Sequence, residues 1–81
     1  MEDLKIEKLL VLKRFYEEDP EKYVSSKLIG FDSKKRVESM NLLRELEKDG
    51  YIEILNERQV PLVRLTLKGY QKAKQHQMEQ E

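Results

Sequence analysis

The stretch LLRELEKDGYIEI, residues 42–54, carries two different repeats separated by a single glycine. Leu42, Leu43 and Leu46 recur at the spacing of one helical face, with charged residues between them. From Tyr51 the period changes, and Ile52 and Ile54 alternate with Glu53 as in a half-buried strand. Gly50 can take positive φ, so it can end the helix and reverse the chain without a loop. The sequence therefore predicts a helix running to Gly50 and a strand beginning at Tyr51, locked side by side.

Upstream, Asp32 or Ser33 can cap this helix and give it the span 33–49. Met40, Leu42, Leu43 and Leu46 then share one side, and Lys34, Val37, Asn41, Arg44 and Lys48 share the other. SSKLIG, residues 25–30, reads as a short helix capped by Ser25 or Ser26, anchored by Leu28 and Ile29, and ended by Gly30. Phe31 is placed to plug the core at the turn. Residues 3–18 form a first helix, in which Asp3, Glu7, Arg14 and Glu18 make a narrow polar stripe. Opposite lie Leu4, Leu9, Val11, Leu12, Phe15 and Tyr16, widened by Ile6 and Leu10. That perimeter fits either a central helix packed on several sides or a helix that keeps one face for a second subunit. Pro20 stops the helix, and KYV, residues 22–24, is a candidate short edge strand.

Downstream, NERQ (56–59) reads as a hairpin tip and VPLVRL (60–65) as the return strand. Pro61 has no amide hydrogen, which predicts a free edge beside it. Thr66 can cap a last helix whose apolar face is only Leu67, Tyr70 and Ala73, so residues 75–81 are expected to fray. The whole chain, 1–81, reads as one domain with its core in residues 3–74.

Charged residues make up 40% of the 81, against about 25% in an average domain, so the core is small and the surface heavily charged. The absence of cysteine excludes disulfides, thiolate catalysis and cysteine-ligated zinc. No apolar run reaches membrane-spanning length, and the N-terminus has no long apolar leader segment, which makes the cytoplasm the expected compartment. Sixteen basic and sixteen acidic residues cancel, so any attraction for a polyanion must come from local placement.

The element order is helix, short strand, short helix, long helix, hairpin, helix. That is the order of the winged helix-turn-helix: an α+β fold, mostly α, with three helices, a β-hairpin wing and a C-terminal helix. LLRELEKDGYIEI resembles the recognition helix and first wing strand of MarR- and PadR-type regulators, and VRLTLKGYQKA (63–73) resembles their return strand, turn and following helix. The spacing of IGF, MNLL, GYI and LTLKG is also similar to that of small YjcQ-like winged-helix proteins. The chain departs from the MarR pattern in its very short second helix, in lacking long flanking dimerisation helices, and in having no small-molecule ligand domain. The resemblance implies sequence-specific DNA binding, with helix 33–49 in the major groove and wing 51–65 on the flanking backbone.

Residue chemistry gives this reading its candidates. Lys34, Lys35 and Arg36 open the long helix, where the positive dipole end disfavours cations unless an anion such as phosphate is bound. Asn41 and Arg44 can read adenine and guanine edges. Ser33, Val37 and Lys48 complete the face, and Arg58 is the cation of the hairpin tip. Glu38 and Glu45 flank it and would moderate phosphate affinity. Lys68, Lys72 and Lys74 give the last helix a basic side.

No catalytic constellation, metal set or cofactor motif is legible. His76 and Glu79 are only two ligands on a tail. The expected partners are double-stranded DNA and a second copy of the chain, joined through residues 4–15 with a contribution from 67–78. The rival reading is a protein-binding winged-helix module, favoured by zero net charge, by the glutamates on the reading face and by the apolar excess of the first helix.

Overall fold

The computed structural model describes residues 2–56 and 59–79. Its elements are α1 (Glu2–Glu18), β1 (Val24–Ser25), α2 (Arg36–Lys48), β2 (Ile52–Asn56), β3 (Leu62–Leu65) and α3 (Leu67–Glu79), with 3-10 turns at Ser26–Ile29 and Ser33–Lys35. The fold is α+β and mostly helical: three α-helices enclose a three-stranded antiparallel sheet of order β1-β3-β2.

The core follows the helical periodicity. Leu9 and Leu12 of α1 and Met40, Leu43 and Leu46 of α2 form one buried cluster with Ile52, Val63 and Leu65 of the sheet and with Phe31, and Ile6 of α1 is buried beside it. α3 lies along α1, where the Tyr16 and Tyr70 rings stack at 4.6 Å between centroids and Ala73 is fully enclosed. α3 stays helical through Glu79, past residue 74 where its apolar face ends.

The second helix expected at 25–30 is a single 3-10 turn, which leaves three α-helices where four were expected. Ser25, rather than Ser26, is its cap: the Ser25 hydroxyl accepts the Lys27 N–H at 3.2 Å, and Ser26 is fully buried. Gly30 ends the turn at φ 91°, as its sequence position predicts. Leu28 is not an anchor, because it is 50% exposed while Ile29 is buried. In a turn of three residues per repeat, adjacent side chains point about 120° apart, so both cannot face one core.

The free edge predicted beside Pro61 is also corrected. β1 pairs with β3 at Val24↔Val63 and Ser25↔Leu62, and β2 pairs with its other side, so β3 is central. Pro61 lies just outside the ladder, where its missing N–H breaks no strand bond, and its carbonyl accepts the Ser26 N–H at 3.0 Å.

The joint between α2 and β2 is closed from two directions. The Gly50 N–H donates to the Glu47 carbonyl and the Tyr51 N–H to the Leu46 carbonyl, a Schellman pair that needs the φ of 82° at Gly50. The helix itself stops at Lys48, before the glycine. The start of α3 then covers the reversal. The Thr66 hydroxyl donates to the Gly50 carbonyl at 2.6 Å and accepts the Gly69 N–H at 3.0 Å. Thr66 thus caps α3, as expected, and also ties it to the joint. Lys68 Nζ donates to the Asp49 carbonyl at 2.8 Å, which puts a cation at the negative end of α2.

Candidate nucleic-acid interface

The outward face of α2 begins in the turn that precedes it. The Asp32 carboxylate accepts the Lys34 N–H at 2.9 Å, and the Asp32 N–H donates to the Ser39 hydroxyl at 3.1 Å. This tight cap draws residues 33–35 into a 3-10 turn, and the Lys35 backbone (φ −119°, ψ 49°) interrupts the helical path. Lys34 and Lys35 therefore precede α2, and only Arg36 of the three basic residues lies in its first turn. This corrects the expected placement of all three in the first helical turn.

Ser33, Lys34, Lys35, Val37, Asn41, Arg44 and Lys48 are all exposed on this side of the molecule, opposite the buried Met40, Leu43 and Leu46. Ser33, Lys34, Lys35, Arg36, Val37 and Glu38 border one shallow depression. Val37 is 74% exposed, an aliphatic side chain set in a polar surface. Lys35 provides no side-chain cap to α2.

Arg36 is half-buried and bridges two elements. Its Nη1 donates to the Gln59 carbonyl at 2.9 Å, and its guanidinium stands 5.8 Å from the centre of the Phe31 ring. The start of α2 is thus bonded to the backbone of the β2–β3 connection. No sequence signal marks this contact, because Gln59 lies beyond the whole of α2 and β2. Arg58 and Glu57 lie outside the described residues.

The acidic residues near this face are partly occupied. Lys5 of α1 lies 3.6 Å from the Glu45 carboxylate and 3.7 Å from that of Asp49, and Glu47 accepts the Ile54 N–H at 3.4 Å. Glu38 remains exposed within the depression. On the sheet's outer face, Arg64 donates to Glu53 at 2.8 Å, to the Glu21 carbonyl at 3.1 Å, and covers the Tyr23 ring at 4.6 Å. Hydrogen bonding to Glu53, ahead of the charge attraction, raises the Arg64 pKa still further. That cluster joins the β1 end of the sheet to the hairpin and is separate from the α2 face. In α3, Lys68 is engaged at the joint and Lys74 lies 5.4 Å from the Tyr70 ring centre, so two of the three lysines on its basic side have contacts within the fold.

Among the described residues, no group of three or more His, Asp or Glu is placed to hold a metal ion, and no helix is long and apolar enough to cross a membrane. Comparison with protein-family models, curated proteins and solved structures finds no match to this chain.

Proposed function

We propose that this chain is a winged helix-turn-helix DNA-binding protein, a small transcriptional regulator or phage-type accessory factor. It lays α2 in the major groove and sets the β2–β3 hairpin as a wing on the flanking backbone. The observation that carries this reading is the exposed α2 face of Val37, Asn41, Arg44 and Lys48, held to the hairpin by the bond from Arg36 to the Gln59 carbonyl. A helix and a wing that dock on one duplex need such fixed spacing. The element order and the β1-β3-β2 sheet support the same reading.

The division of labour follows from side-chain chemistry. Lys34 and Lys35 meet phosphates at the entry to α2, where an anion also relieves their conflict with the helix dipole. Asn41 suits an adenine edge, Arg44 a guanine edge, and the Val37 methyl groups a thymine methyl. Glu38 lowers affinity for arbitrary duplex by facing the same phosphates.

Selection from a random duplex library, followed by salt titration on the selected site, tests the proposal. The two phosphate contacts of Lys34 and Lys35 give a slope of log affinity against log salt of roughly −2 per protomer. Asn41→Ala and Arg44→Ala should each cost about 1–3 kcal/mol on the selected site and relax preference at one base pair. Failure to enrich any sequence, with no binding at low salt, would overturn it. A protein-binding role for the same fold is the second reading, favoured by the exposed Val11 and Leu28 and by the zero net charge.

A further inference from the structure

We infer that the surface formed by Val11, Phe15 and Leu28 docks a second copy of this chain, with two α1 helices packed antiparallel about Val11. Leu4 (48%), Val11 (39%) and Leu28 (50%) are exposed, and Val11, Phe15 and Leu28 line one open groove whose charged rim is Arg14 and Glu18. Leu4 and Val11 are seven residues apart, two helical turns, so they lie on one line along α1. The opposite face of α1 is already committed to the core through Ile6, Leu9 and Leu12.

Charge identifies the occupant. Glu7 stands on one side of Val11 along the helix and Arg14 on the other, both exposed. Among the described residues, neither has an ion-pair partner. A two-fold axis at Val11 brings Glu7 of each copy opposite Arg14 of the other, closing two equivalent pairs around an apolar centre. A parallel pairing would oppose Glu7 to Glu7 and Arg14 to Arg14, which like-charge repulsion disfavours. Glu18 on the rim and Glu7 farther along α1 likewise disfavour a polyanion or an anionic lipid surface as occupant. The pattern is self-complementary, as an isologous interface requires.

Sedimentation equilibrium of the full chain over a concentration series tests this without DNA. The parent should show a monomer–dimer equilibrium. Glu7→Arg or Arg14→Glu alone should raise the dimer dissociation constant about tenfold or more, because each change enters the interface twice. The double exchange E7R/R14E should return it to within about threefold of the parent, since the pairs re-form with reversed sign. Val11→Glu, at an exposed position, should leave a folded monomer with the parent's circular dichroism. A parent that is monomeric at every concentration overturns the inference. So does a dimer indifferent to Val11→Glu, or a double exchange that fails to recover association.

Discussion

Gly69 and Tyr51 meet backbone to backbone: a Cβ placed on Gly69 would lie 2.1 Å from the Tyr51 carbonyl oxygen and 2.8 Å from a methyl carbon of Leu65. The first turn of α3 therefore rests directly on the chain reversal after α2, with no room for a side chain between them. Gly69→Ala isolates the two opposing effects. Alanine improves helix propensity by about 1 kcal/mol, but the inserted methyl must push two backbone segments apart, which typically costs about 1–3 kcal/mol and can cost more. The backbone clash wins, and urea denaturation should show net destabilisation. Equal or greater stability of the alanine variant would mean that α3 is not seated on this joint.

Thr66 gives a second test of the same joint. Its hydroxyl is at once donor to Gly50 and acceptor for Gly69, so one side chain serves both the cap of α3 and the end of the α2 reversal. Thr66→Val keeps the shape and removes both bonds, with an expected loss of about 1–2 kcal/mol. Thr66→Ser keeps the hydroxyl and should lose less than half of that. Similar losses in the two variants would mean that the methyl group, absent only from the serine variant, contributes as much as the two hydroxyl bonds.

The α1–α3 contact carries a pH signature. Tyr70 donates to the Glu17 carboxylate at 3.0 Å, and this bond, ahead of Lys13, holds the Glu17 pKa below the usual carboxylate value. The same bond raises the Tyr70 phenol. A depressed carboxylate contributes stability above its unfolded pKa, about 4.3, and that contribution disappears as pH falls through the folded value. A raised phenol contributes fully below about pH 10 and loses its contribution as pH rises through its folded value. Tyr70→Phe should move the Glu17 titration, followed by carboxyl carbon NMR, up towards the unperturbed value. An unshifted titration would show that the bond is not populated in solution.

The parts of the fold legible in the sequence are those set by near neighbours. The period change at Gly50 and the caps at Ser25 and Thr66 each depend on a few consecutive residues and are present in the structure, whereas Asp32, expected to cap the long helix, caps only the 3-10 turn 33–35 before it. The short edge strand read at 22–24 forms at Val24–Ser25, too short to display a strand period, so only its distant partner Val63 fixes its bounds and makes β3 central. Leu28, read as an anchor beside Ile29, faces outward, since one 3-10 turn is too brief to fix from the sequence which of two adjacent apolar residues faces inward. The side-chain bonds of Arg36, Arg64 and Lys68 reach across the fold and leave no local pattern. Gly69 did leave one. A glycine inside a helical pattern costs about 1 kcal/mol against alanine, and that cost is itself the mark of a close approach.

Arg36 separates two roles that look alike in sequence. Beside Lys34 and Lys35 it reads as a third phosphate contact, yet its guanidinium is bonded to the Gln59 carbonyl. If the proposed DNA binding holds, Lys34→Ala and Lys35→Ala should each reduce the salt slope by about 0.9, the increment for one lost phosphate contact. Arg36→Ala should weaken binding while leaving the slope almost unchanged, because it loosens the spacing of helix and wing without removing an ionic contact. Without DNA, the same variant should speed amide hydrogen exchange at residues 59, 60 and 62, where the wing loses its tie to α2. Arg36→Lys keeps the charge but not the planar donor fork, and should behave like the alanine variant in exchange. A slope that falls by about one on Arg36→Ala, with unaltered exchange, would instead make Arg36 a phosphate contact and leave the hairpin positioned by the sheet alone.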